Sequence, residues 1–148
     1  MRIVLQRVSS AAVRVDDEEV GAIGRGLLLL VAIEPDDDGA RVAAAVEKLT
    51  RLRVFEDERG HMNLDAGQVG GAFLVVSQFT LAGSLAKGRR PSFDGAAPPA
   101  VAEPLVEELS AGLKERGFEV ANGRFGATME VALVNQGPVT FVLDIPAR

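Results

Sequence analysis

Gly70-Gly71-Ala72-Phe73-Leu74-Val75-Val76-Ser77-Gln78-Phe79-Thr80 is the stretch from which the rest of the chain is read. The apolar run Ala72 to Val76, bounded by two glycines, reads as a strand buried on both faces. Where it leaves the core it delivers four unlike side chains. Ser77 and Thr80 carry hydroxyls, Gln78 an amide that donates and accepts, and Phe79 a flat apolar face on which a base or ring can lie. Downstream comes Lys87-Gly88-Arg89-Arg90, the chain's one tight basic cluster. A polar strand end beside a basic loop points to an anionic ligand.

The chain has 148 residues and 47% apolar content, the length and core of one domain, 1–148. Charge interrupts Met1-Arg2-Ile3-Val4-Leu5-Gln6-Arg7 too early for a signal segment, and the run Leu27 to Ile33 is too short to span a bilayer. A cytoplasmic protein with no membrane partner is expected. With no Cys and one His, thiolate chemistry, a serine-hydrolase triad and a multi-histidine zinc site all fall away. A net charge of −5 argues against a wide grip on nucleic acid, DNA included, but leaves room for local contact with a strand end through Lys87, Arg89 and Arg90.

Met1 to Val15 alternates as a strand with a phase slip near Ser9, which predicts a bend or bulge. Glu18 to Ile23 and Leu27 to Ile33 are two more strands, the second apolar on both faces, and Gly21, Gly24 and Gly26 read as hairpin glycines rather than a phosphate loop. Asp36-Asp37-Asp38 caps a helix over Gly39 to Arg53, whose stripe is Val42, Ala45, Val46, Leu49 and Leu52; capping is preferred here to metal binding. Val54-Phe55 is a short extended piece, His61 a surface turn residue, and Met62 to Gly71 irregular. Leu81 to Pro99 holds too many breakers for regular structure and reads as a functional loop that presents side chains or as a solvated flexible one. A second helix runs from Pro99 to Arg116 with Pro104 near its start, then come a strand over Phe118 to Val120 and strands over Met129 to Val134 and Val139 to Leu143. Asn135-Gln136-Gly137-Pro138 reads as a tight connection between the last two, and Gly137-Pro138 as a candidate cis bond. The fold class is α/β with α+β character: mixed sheets covered by two main helices.

Several ordered motifs then carry a resemblance. Ser77-Gln78-Phe79-Thr80-Leu81, Lys87-Gly88-Arg89-Arg90-Pro91-Ser92-Phe93 and Asn135-Gln136-Gly137-Pro138-Val139-Thr140 resemble the D-aminoacyl-tRNA deacylase family. So do Met1 to Val8, Phe55-Glu56-Asp57-Glu58 with Met62-Asn63-Leu64, and Gly123-Arg124-Phe125-Gly126-Ala127. The resemblance implies a three-layer fold, a homodimer, and hydrolysis of the ester between a D-amino acid and the 3′ end of tRNA, without cofactor or metal. It also implies action on glycine, including glycine mischarged on tRNA(Ala), with L-aminoacyl groups excluded. Ser77, Gln78, Phe79 and Thr80 would form the reactive site; Gly137 and Pro138 would enter it from the other subunit; Lys87, Arg89 and Arg90 would meet the tRNA.

The chemistry of these residues leaves choices open. A threonine nucleophile needs an activating base, so Thr80 is read first as a group that orients the carbonyl or a water and second as a nucleophile. Backbone N–H groups around Phe79-Thr80 can hold an oxyanion, and backbone carbonyls at Gln136 and Gly137 can wall off the direction an L side chain takes. Ser84-Leu85-Ala86 and Pro104 depart from the family's pattern and bear on loop geometry and tRNA affinity. The competing functions are an idle module that binds aminoacyl-tRNA ends and a small Thr-dependent esterase for another substrate.

Overall fold

The computed structural model describes residues 1–148. β1 (Arg2–Val15), β2 (Glu18–Ile23) and β3 (Gly26–Ala32) open the chain, and α1 (Gly39–Arg51) follows. A hairpin of β4 (Phe55–Glu56) and β5 (Met62–Leu64), the short α2 (Ala66–Val69) and β6 (Ala72–Ser77) come next, then a 3-10 turn over Phe79–Ala82. After a long loop the chain ends in α3 (Pro99–Glu115), β7 (Val120–Asn122) and β8 (Glu130–Asp144). No helix is long and apolar enough to cross a membrane.

One mixed sheet runs β2-β1-β3-β6-β7, with β8 along the other side of β1. The pairs β3-β6 and β6-β7 are parallel, and β1 is antiparallel to β2, β3 and β8. The double-sided apolar pattern of β3 and β6 now has its reason, because alternate residues serve two cores. Leu27, Leu29, Phe73 and Val75 pack against the stripes of α1 and α3, among them Val46, Leu49, Leu109 and Leu113. Leu28, Leu74 and Val76 face the other way, onto Val8, Val13 and Ile23 inside the curl of the sheet. That curl almost closes: a Cβ at Gly21 of β2 would lie 2.3 Å from the Asn122 carbonyl oxygen of β7. Gly21 is therefore a residue of close strand approach and not a hairpin glycine, which corrects the sequence reading.

Asp38 caps α1 by accepting from the Arg41 N–H at 3.0 Å. Asp37 has a different task. Its buried carboxylate takes the Met1 α-amine at 2.8 Å and the Arg41 guanidinium at 3.0 Å. Burial pushes this carboxyl's pKa up, but those bonds and the Glu34 backbone N–H outweigh it and hold it below the usual range. The helices stop at Arg51 and Glu115, a little short of the expected ends, where terminal turns fray. The last short strand is displaced to Val120–Asn122, because Phe118 turns inward to meet Phe73 edge-on, 5.1 Å between ring centroids. The stretch 62–71, expected to be irregular, contains β5 and a helical turn closed by an Asp65/Gln68 capping box.

The largest correction concerns the end of the chain. Met129 to Leu143 does not form two strands joined by a tight turn; β8 is one strand antiparallel to β1 throughout. Val8 pairs with Asn135 and Gln6 with Thr140, so Gln136 to Val139 stand opposite Arg7 alone. The surplus residues leave the ladder as an excursion, and the expected slip near Ser9 is the matching irregularity in β1. Gly137 has φ +142, and a Cβ there would meet Val139 at 2.7 Å. The Gly137-Pro138 bond is cis.

Candidate active site

β6 ends at Ser77, still paired with Val31 of β3, and the Gln78 N–H donates to the Val31 carbonyl at 2.7 Å. The chain then winds into the 3-10 turn, whose only N-terminal donor with an internal partner is Leu81, bonded to the Gln78 carbonyl. As the first two residues of that turn, Phe79 and Thr80 have N–H groups with no acceptor inside it. They form a small donor pair at a strand end. The Gln78 side-chain amide donates to Thr80 Oγ1, so the threonine oxygen is already an acceptor and its own proton is free to donate outward.

These residues border a cavity of about 520 Å³. Ser77, Gln78 and Phe79 line one end; Phe93, Ala102, Phe125 and Met129 supply apolar walls from the long loop, α3 and the approach to β8. Phe79 and Phe93 meet edge to face, 5.2 Å between centroids. No ionisable side chain lines this cavity. His61 lies exposed in the β4-β5 connection, where its backbone N–H donates to Asp57 Oδ1.

A second group gathers across the sheet, on β8. Arg7 occupies the inward phase of β1 set by Ile3 and Leu5 and is only 4% exposed. Its Nε donates to the Gln136 carbonyl at 2.9 Å and its Nη1 to the buried Val54 carbonyl at 2.8 Å. Asn135 closes the base of the excursion, accepting from the Val139 N–H at 2.7 Å and donating to Thr140 Oγ1 at 3.0 Å. Gln136, Gly137 and Pro138 are held from both ends and exposed at the tip.

A model of the family described as D-Tyr-tRNA(Tyr) deacylase matches residues 4–144. The chain belongs to this D-Tyr-tRNA(Tyr) deacylase family. A D-aminoacyl-tRNA deacylase of Desulfatibacillum aliphaticivorans is 52% identical over 144 residues, 97% of this chain and 99% of that one. A solved structure described as "c-Myc DNA Unwinding Element Binding Protein" has a TM-score of 0.92 at 38% identity, covering 99% of this chain and 100% of the other. Another, of "a probable eukaryotic D-amino acid tRNA deacylase", has a TM-score of 0.83 over 96% of this chain and 97% of its own, and at 20% identity speaks to the fold alone. The α/β fold with two main covering helices is that of the deacylase family.

Set against this deacylase fold, the residues singled out from the sequence fall into three places. Ser77, Gln78 and Phe79 come together at the cavity, and Thr80 sits on its rim without lining it. Gly137 and Pro138 lie outside the cavity of their own chain, on the far strand β8. Lys87, Arg89 and Arg90 are exposed at the tip of a loop whose neck is the reciprocal Ser84–Ser92 backbone pair, at 2.7 and 2.9 Å. Sequence reasoning assigned no role to Arg7 or Asn135. An arginine in the inward phase of an amphipathic strand was the available signal for Arg7. Phe125 stood only within the Gly123 to Ala127 motif with no role assigned, and Met129 and Ala102 carried no signal, because their meeting depends on the tertiary fold.

Proposed function

We propose that this chain hydrolyses the ester between a D-amino acid and the terminal ribose of tRNA, and glycine likewise, glycine mischarged on tRNA(Ala) included, while sparing L-aminoacyl groups. The carrying observation is the cavity at the end of β6, apolar and aromatic over most of its wall, polar at Ser77 and Gln78, and free of ionisable side chains. Its volume suits a nucleoside, and Phe79 and Phe93 offer faces for the adenine. An aminoacyl ester is already activated, so the protein's work is orientation. Water, oriented by the neighbouring ribose hydroxyl, adds to the ester carbonyl, the Phe79 and Thr80 N–H groups receive the oxyanion, and collapse breaks the ester bond to the ribose oxygen, which takes the proton given up by the water. Thr80 holds the carbonyl or the water through the proton it has free to donate. The absence of a base within the cavity argues against a Thr80 nucleophile and the esterase built on it.

Stereoselection in this reading needs a second copy. The exposed Gln136–Pro138 excursion of one protomer enters the cavity of its partner and blocks the direction of an L side chain with backbone held by Arg7 and Asn135. Val134, Phe141 and Val142, exposed on β8 beside the excursion, supply apolar surface for that homodimer. Lys87, Arg89 and Arg90 meet the phosphates of the acceptor end, and the enzyme works in the cytoplasm on charged tRNA. The net charge of −5 disfavours DNA as a partner.

Release of amino acid from matched D-, L- and glycyl-tRNA tests the reading. Loss of the D and glycyl esters with L intact is expected. Equal loss of D and L refutes the stereochemical wall, and no release with enzyme in excess of substrate refutes catalysis in favour of a binding module.

A further inference from the structure

A second cavity of about 440 Å³ adjoins the first, and the two share Ser77 and Phe125 as a common wall. Its lining differs in kind. α3 contributes Glu103, Glu107, Ser110 and Lys114, spaced so that one helix face presents them all, and Arg124 comes from the segment after β7. Ser110 is buried, and its hydroxyl donates to Asn122 Oδ1, tying α3 to β7 beneath the cavity. None of the four charged side chains is in an ion pair within the chain, although both signs line the same space.

The charges are ordered along the helix. Pro99 and Ala102, at its start, line the first cavity; Glu103 and Glu107 follow, then Ser110, then Lys114. At 1.5 Å of rise per residue, Ala102 to Lys114 spans roughly 18 Å. That length leaves room for more than the terminal nucleoside. A site for a bare anion would not hold two glutamates, since they repel phosphate as strongly as Lys114 and Arg124 attract it. A nucleotide satisfies both signs at once, because its phosphates are anionic and some bases carry an exocyclic amine. Every tRNA ends in C-C-A, and the N4 amine of cytosine is a donor that carboxylates accept from.

Resting on the deacylase reading, we propose that the second cavity takes the penultimate cytidine of the tRNA. Its phosphate link to the terminal adenosine lies at Arg124, beside the shared wall residue Phe125. Its N4 amine donates to Glu103 or Glu107, and the next phosphate lies at Lys114. The first cavity reads the terminal nucleoside and its amino acid, and the second sets the register of the strand that enters.

Three esters separate the parts: a D-amino acid on adenosine, on the dinucleotide cytidylyl-adenosine, and on uridylyl-adenosine. The wild-type chain should hydrolyse the cytidylyl ester with kcat/KM about tenfold above the adenosine ester and about fivefold above the uridylyl ester. In Lys114→Ala/Arg124→Ala the ratio of dinucleotide to nucleoside should fall to near one. In Glu103→Gln/Glu107→Gln the ratio of cytidylyl to uridylyl should fall to near one instead. Each ratio is taken within one variant, so a loss of folded fraction cancels. A wild-type ratio near one for dinucleotide over nucleoside, or ratios unmoved in both variants, overturns the proposal while leaving the deacylase intact. A wild-type chain that hydrolyses none of the three yet releases D-amino acid from whole D-aminoacyl-tRNA overturns this subsite alone, and one that releases it from neither overturns the deacylase reading and this subsite with it.

Discussion

Replacing Arg7 by Met tests whether the excursion of β8 is held by one buried guanidinium. Methionine keeps a long apolar stem in the space but donates no hydrogen bond. Two carbonyls lose a charged donor: Val54, which is buried, and Gln136, which belongs to an exposed residue and can recruit water. Leaving a buried acceptor unmatched costs about 1–3 kcal/mol, and the bond to the more accessible Gln136 carbonyl adds about 1. The Glu56 contact, at 3.5 Å with a largely exposed carboxylate, adds little. The sum is about 2–4 kcal/mol, which for a chain of this size lowers Tm by roughly 5–12 °C. Denaturation must be followed at fixed protein concentration, because the stability of the proposed dimer would depend on it. The functional readout is the ratio of D- to L-aminoacyl-tRNA hydrolysis, which should fall at least tenfold once Gln136 to Pro138 are free to move. Arg7→Lys keeps the charge but not the fork that reaches two carbonyls, and should recover only part of both losses. A destabilisation below about 0.5 kcal/mol would refute the packing argument. Full destabilisation with an unchanged D-to-L ratio would separate Arg7 from selectivity.

Thr80→Ala should lower kcat by less than about tenfold, since the backbone donors of the turn remain; single-turnover deacylation measures it, and a loss of a thousandfold or more would make Thr80 the nucleophile. Asp37 should shape the acid limb of stability. Its folded pKa lies below its unfolded value, so below neutrality the unfolded chain binds more protons. The stabilisation is complete above the ordinary carboxylate range of about 4 and is lost as pH falls through the folded value. Asp37→Asn should cost about 3 kcal/mol at pH 7 and flatten that limb, as urea titrations between pH 3 and 7 would read. A parallel downward shift at every pH would count against it.

The parts of this structure legible in the sequence are those decided within a few residues. The periodicity of Val42, Val46 and Leu49, the double-sided run Leu27 to Val31 and the slip near Ser9 each reflect local geometry, and each appears where expected. Asn135-Gln136-Gly137-Pro138 shows the limit. Glycine and proline mark a departure from extended backbone but not whether the chain returns on itself or rejoins the same ladder. That choice was made by β1, which pairs with the residues on both sides of the motif. Gly21 is a similar case: its need for a missing side chain comes from Asn122, a distant residue that the closing sheet brings against it. The cavity was half legible, since Ser77 to Phe79 are contiguous while Phe93, Ala102, Phe125 and Met129 meet only through tertiary packing.

The distribution of charge explains why a chain with one histidine and no cysteine can serve as an ester hydrolase. An ionisable catalyst inside an apolar cavity would have to be desolvated, at a cost of several kcal/mol, and would need a partner to hold its charged form. The substrate makes that unnecessary, because the carbonyl is activated by its own ester and develops negative charge only during attack. In the proposed mechanism two backbone N–H groups in a low-dielectric pocket meet that charge without carrying any of their own. Lys87, Arg89 and Arg90 stand instead on an exposed loop and Lys114 and Arg124 along the second cavity, where water covers them and the phosphates proposed as their partners would repay their cost. With so little required of the chemistry, the demanding task in this proposal is to refuse the abundant L-isomer, for which a stiff backbone excursion would serve better than a mobile side chain. That proposed division of labour would put the catalytic strand end and the selecting strand on opposite sides of one sheet, and would make a second copy of the chain the simplest means of bringing them together.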